Sequence, residues 1–119
     1  MLMRLELLRG PFAIVKLEAD APIPPWASGG EFVSITRTPA ELSIVSESPD
    51  GEWRCLKVEG PLDFSLVGIL ASLAEPLARA GIPIFAVSTF DTDHILIKAD
   101  RASAAIGALE SAGHTVTQT

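Results

Sequence analysis

FSLVGILASLAEPLARAG, Phe64 to Gly81, is where the sequence changes character, and its reading decides the fold. Apolar residues at Leu66, Ile69, Leu70, Leu73, Leu77 and Ala80 recur at intervals of three and four, which lays a single apolar stripe along a helix. Ser65 has the side chain of an N-cap, and Gly81 the backbone freedom wanted just past a helix end. Pro76 removes one backbone hydrogen bond inside the pattern, so the expectation is a kinked helix or one staggered into two pieces.

Around this helix the segments alternate in type. EWRCLKVEG (Glu52–Gly60) precedes it as a strand, and IPIFAVST (Ile82–Thr89) and HILIKA (His94–Ala99) follow as two more. ASAAIGALESA (Ala102–Ala112) reads as a second helix, capped by Asp100 in front and Gly113 behind, and HTVTQ (His114–Gln118) as a last short strand. The order is therefore β-α-β-β-α-β over residues 53–119, the ferredoxin-like sequence of elements.

Residues 1–52 read differently. MRLELL, FAIVKLEA, EFVSITRT and ELSIVSES alternate at period two, as half-buried strands do. Between the second and third, Pro22, Pro24, Pro25, Gly29 and Gly30 exclude a regular helix from DAPIPPWASGG. TPAE (Thr38–Glu41) and SPDGE (Ser48–Glu52) carry turn chemistry. VSITRT–ELSIV can be laid over VSTFDT–DHILI at an offset of 54, Ser34 on Ser88 and Thr38 on Thr92, with Pro39 and Ala40 as extra turn residues. The first half then reads as a degenerate copy of the second.

Composition narrows the function. At 119 residues and 48% hydrophobic, the chain suits one compact body and argues against disorder. A net charge of −6 without a Lys/Arg cluster disfavours nucleic acid and anionic membranes as partners. Cys55, the single cysteine, excludes an internal disulfide and a cysteine-based zinc cage. Arg4, Glu6 and Arg9 interrupt any signal-peptide core, and no apolar run approaches the ~20 residues that span a bilayer, so the expectation is a cytoplasmic protein.

Two stretches carry candidate chemistry. In STFDTDHILIK (Ser88–Lys98), strand alternation sends Asp91 and Asp93 to one face and His94 to the other. That divergence argues against an Asp93–His94 acid–base pair and leaves two carboxylates without further metal ligands. No nucleophile elbow, Walker loop or dinucleotide fingerprint is present, so an enzyme is not expected. In GPLDFSLVG (Gly60–Gly68), the N–H groups of Phe64 to Gly68 approach a helix N-terminus, where a carboxylate or phosphate is favoured. Cap and packing roles for Ser65 and Gly68 explain the same residues equally well. Asp63, Asp91 and Asp93 would complement an amine or guanidinium. Trp26 and Trp53 could line a pocket but read more simply as cover for the edge of a small core, and His114 reads as a helix C-terminal residue facing the last carbonyls.

The segment Gly60 to Asp100, with GPLDFS, a helix containing Pro76, GI-x-IF and STFDTD, resembles the ACT-domain proteins of the aspartokinase-related, uncharacterised bacterial type. TRTPAELSIV resembles them also, and the C-terminal part is similar to the ACT units of cytosolic arginine sensors. The resemblance implies an α+β chain of tandem ferredoxin-like units, 1–52 degenerate and mostly β, 53–119 complete. It implies a non-catalytic, amino-acid-binding regulatory module, for which no cofactor or metal is expected. The edge strands that an open ferredoxin-like sheet leaves to pair point to a homodimer, and the alternative is a dimeric interaction module with a vestigial pocket. The family's ligand loop falls on Leu62, Asp63, Phe64, Ser65 and Gly68, and its polar hairpin on Ser88, Thr89, Phe90, Asp91, Thr92 and Asp93. Leu66 stands where the arginine sensors place a loop acid, a departure that weighs against arginine as the ligand.

Overall fold

The computed structural model describes residues 1–63 and 67–118. In chain order these form β1 (Arg4–Leu7), β2 (Phe12–Leu17), β3 (Ser34–Arg37), β4 (Leu42–Glu47) and β5 (Trp53–Val58). There follow α1 (Ile69–Arg79), β6 (Phe85–Ser88), β7 (Asp93–Lys98), α2 (Ala102–Ser111) and β8 (Thr115–Gln118). Two compact units result: Met1–Arg9 with Arg54–Thr119, and Gly10–Trp53. Among the described residues no helix is long and apolar enough to cross a membrane.

The larger unit is a mixed α+β body containing the β-α-β-β-α-β order. One strand more belongs to it. β1, whose alternation was read as opening the first half of the chain, pairs antiparallel with β5 and parallel with β8, setting Leu5 opposite both Val58 and Val116. Alternation marks a half-buried strand but says nothing about its partner. With β7 paired to both β5 and β6, the strands of this unit run β6-β7-β5-β1-β8.

Helix α1 turns Ile69, Leu73 and Leu77 inward, and α2 contributes Ala105 and Leu109. They pack with Leu5, Leu7, Leu56, Val58, Ile95 and Ile97 from the strands. Both helices end in the same closure. Gly81 N–H donates to Ala78 O and Ile82 N–H to Leu77 O; Gly113 N–H donates to Glu110 O and His114 N–H to Leu109 O. These paired bonds with a left-handed glycine form the Schellman motif, whose apolar contact here is Ile82 against Leu77.

Four local expectations are corrected. Pro76 does not divide α1, which runs unbroken with the proline buried inside it. The helix starts at Ile69 with Gly68 in the cap position, so Ser65, itself outside the described residues, is not its N-cap. Asp100 does not cap α2 either: it lies within a 3-10 turn, Ala99–Arg101, that leads into the helix. His114 does not face exposed carbonyls, because the Schellman closure turns it into the interior, where it is only 5% exposed.

In the smaller unit β4 pairs antiparallel with β2 on one side and β3 on the other. The proline-rich loop lays Ala21 and Ala27 against Leu17, Leu42 and Ile44. Arg37 fastens that loop through the carbonyls of Ala19 and Ala21. Trp26 is half exposed and does not cover this core; it lines a pocket with Ala13, Val15 and Glu47 instead.

Candidate functional site

The site begins where β5 ends. Thr92, buried at the tip of the β6–β7 hairpin, donates its hydroxyl to Val58 O at 2.7 Å, and Leu62 N–H donates to Asp91 O at 2.7 Å. These bonds draw the strand exit against the hairpin so closely that a Cβ on Gly60 would lie 3.1 Å from Asp91 O and 3.2 Å from Thr92 Cβ. Thr92→Val is expected to destabilise the chain by about 1–3 kcal/mol by stripping a donor from a buried carbonyl, whereas Thr92→Ser keeps most of the stability. Urea midpoints of the two variants test this, and equal midpoints would refute it.

The hairpin tip is built by Thr89. Its N–H donates to Thr92 O at 2.8 Å, and its hydroxyl donates to the same oxygen at 3.0 Å while accepting Thr92 N–H at 3.3 Å. Thr38 repeats this arrangement in the β3–β4 turn, donating its N–H to Glu41 O at 2.9 Å and accepting Glu41 N–H on its hydroxyl at 3.2 Å. The two hairpins therefore correspond at an ungapped offset of 51, Thr38 to Thr89, not at 54 with two inserted residues. Matching valines and serines reflected the restricted alphabet of strands; the turn bonds fix the register.

Between the hairpin tip and the start of α1 lies a cavity of about 390 Å³. Leu62, Asp63 and Gly68 line it from the loop, and Ser88, Thr89, Phe90, Asp91, Thr92 and Asp93 from the hairpin. Phe64 and Ser65, the remaining sequence candidates, lie outside the described residues, as does Leu66. Ile69 and Leu70 also line the cavity and were missed. Helical periodicity assigned both to the core stripe; the usable signal was their position directly after Gly68.

Gly68 has φ +80, a left-handed conformation that ends the loop and leaves Ile69 as the first helical residue. The orphan N–H groups of the first helical turn accordingly include that of Ile69. Among the described residues nothing lies within 4 Å of a Cβ built on Gly68.

The polar groups of the site are acidic or hydroxylic. Ser88 Oγ donates to Asp93 Oδ1 at 2.6 Å, a short charge-assisted bond that fixes this carboxylate, while Asp63 and Asp91 are exposed. No Lys, Arg or His stands among the described residues lining the cavity. Phe90 at 79% exposure and Val67 at 82% leave apolar surface beside it.

His94 takes the other face of β7, opposite Val87 in the ladder. Burial, reinforced by the Lys57 ammonium and only partly offset by Asp93, pushes its imidazole down to about 4, so it is neutral at physiological pH. Among the described residues no three His, Cys, Asp or Glu side chains group as a metal shell.

Comparison with known proteins matches the ACT-domain family profile to residues 48–111, and a profile for an N-terminal domain to residues 10–49. The crystal structure of protein Atu0741 from Agrobacterium tumefaciens superposes with a TM-score of 0.93 at 41% identity, covering 100% of this chain and 95% of that one. A Vibrio cholerae protein, VC0802, described as a possible transport protein, shares the fold at a TM-score of 0.69 and 21% identity, over 92% and 89% of the two chains. Subunit 1 of the human cytosolic arginine sensor for mTORC1 is 40% identical over 74 residues, 60% of this chain, and its Bos taurus counterpart likewise. This chain spans 22% of the length of those sensors.

Proposed function

The chain belongs to the ACT-domain family, and on that footing we propose that the cavity between the hairpin tip and α1 binds a free amino acid as a regulatory signal. The observation that carries this reading is the composition of the cavity: the carboxylates of Asp91 and Asp93 on the hairpin wall, that of Asp63 and the first turn of a helix on the other, with no basic side chain among its described lining residues. A zwitterion matches that arrangement. Its ammonium group meets Asp93, held by Ser88, or the exposed Asp63 and Asp91. Its carboxylate meets the N–H groups at the start of α1. Leu62, Ile69, Leu70 and Phe90 supply apolar contact for the side chain.

The role is regulatory, not catalytic. Asp93 and His94 occupy opposite faces of one strand, out of reach of joint proton transfer. The relatives named as arginine sensors support a sensing role, while Leu66 in place of their loop acid leaves the side-chain specificity to a different residue. Strands β6 and β8 end the order of the larger unit's described strands, and such edge strands support assembly as a homodimer.

Thermal unfolding in the presence of each common amino acid tests the proposal. A ligand present at a hundred times its dissociation constant stabilises the native state by about 2.7 kcal/mol. One amino acid, or a chemically related few, is expected to raise the melting temperature by several degrees; uniform indifference at millimolar concentration would refute the proposal.

A further inference from the structure

We propose that His114 is a positioning residue for the cavity: it supplies the hydrogen bond that Pro76 cannot give to α1, and so holds the turn that carries Gly68, Ile69 and Leu70. In a regular helix the N–H of residue 76 would donate to the carbonyl of residue 72. Proline has no N–H, and its ring presses on that same carbonyl. Ser72 O therefore lacks its helical donor, and His114 Nε2 stands 3.0 Å from it.

The other ring nitrogen fixes the tautomer. Met3 N–H, which is only a donor, lies 3.0 Å from His114 Nδ1, so Nδ1 accepts and Nε2 carries the hydrogen. Burial of the ring keeps bulk water from replacing either bond. Its place is set by the α2 closure, where His114 N–H donates to Leu109 O, and by Thr115 N–H donating to Met3 O.

Ser72 passes the constraint to the cavity. Its N–H donates to Gly68 O at 2.9 Å, and its hydroxyl donates to Ile69 O at 2.7 Å. Gly68 and Ile69 both line the cavity. A chain of hydrogen bonds thus runs from Met3, just ahead of β1, through the imidazole and Ser72 to the first turn of α1. The positioning role rests on the cavity being the binding site; the coupling of His114 to Pro76 does not.

A double-mutant cycle tests it, with His114→Phe removing the donor and Pro76→Ala returning an N–H to the helix. Amide hydrogen exchange in the full chain reads the result. His114→Phe is expected to speed exchange at Ser72 and Leu73 by about ten- to a hundredfold relative to the amides of α2. In the Pro76→Ala background that acceleration should shrink by at least about threefold. Equal acceleration in both backgrounds, or none in either, overturns the coupling. If His114→Phe does not fold, 15N spectra of the wild-type ring decide: a protonated Nε2 with a pyridine-like Nδ1 supports the proposal, and a proton on Nδ1 overturns it. Failure of the amino-acid panel would remove the positioning role and leave the coupling standing, so the two failures are distinguishable.

Discussion

Asp93→Asn is expected to weaken amino-acid binding by about ten- to a hundredfold. The substitution keeps the shape of the side chain and a carbonyl oxygen for the Ser88 hydroxyl, but removes the charge facing the ligand ammonium. Hydrogen bonds to a charged partner contribute about 1.5–3 kcal/mol, against about 1.4 kcal/mol per factor of ten in affinity. The effect should appear as a rise in the dissociation constant, measured by calorimetry with whichever amino acid stabilises the wild type. Glu110→Gln, on the exposed face of α2, serves as the control and should bind unchanged. Wild-type affinity in Asp93→Asn would show that this carboxylate does not meet the ligand.

A second large effect follows from His94. Its imidazole is pushed down to about 4, against an unfolded value near 6.5. The folded chain therefore binds fewer protons than the unfolded chain between these values, and stability rises with pH across the interval. His94 contributes its full share above about pH 6.5 and loses it as the pH falls through 4, up to about 3 kcal/mol in all. Carboxylates titrate in part of the same window, so the test is a difference: urea unfolding of the wild type and of His94→Leu at pH 7, 5.5 and 4.5. The leucine variant should lose markedly less stability on acidification. Parallel losses would mean that His94 is not held neutral by the fold.

Much of this architecture was legible because periodicity reports burial. The stripe of Ile69, Leu73 and Leu77 comes from the spacing that a helix imposes, while β7, buried at four residues running from His94 to Ile97, was marked as a strand by its apolar, β-branched run. Strand alternation alone separated Asp93 from His94. What escaped the sequence was decided by partners far along the chain. Nothing in RLEL states that β1 will lie between β5 and β8. The cap of α1 was assigned to Ser65 from side-chain chemistry, whereas a left-handed Gly68 ends the loop without any side-chain cap. Pro76 pointed to a kink or a stagger because its missing N–H was visible and the donor 38 positions away, His114, was not. Residue identity laid Ser34 over Ser88, whereas the turn bonds of Thr38 and Thr89 put those two threonines in the same place in their hairpins.

The central claim is that the cavity between the hairpin tip and α1 is where an amino acid binds. Titration of the 15N-labelled chain with the amino acid that most raises its melting temperature tests it most directly. Saturable shifts should concentrate on the amides of Gly68 to Leu70 and Ser88 to Asp93, with little change in Gly10–Trp53. Saturable shifts confined to Gly10–Trp53, or none with any common amino acid, would contradict the account.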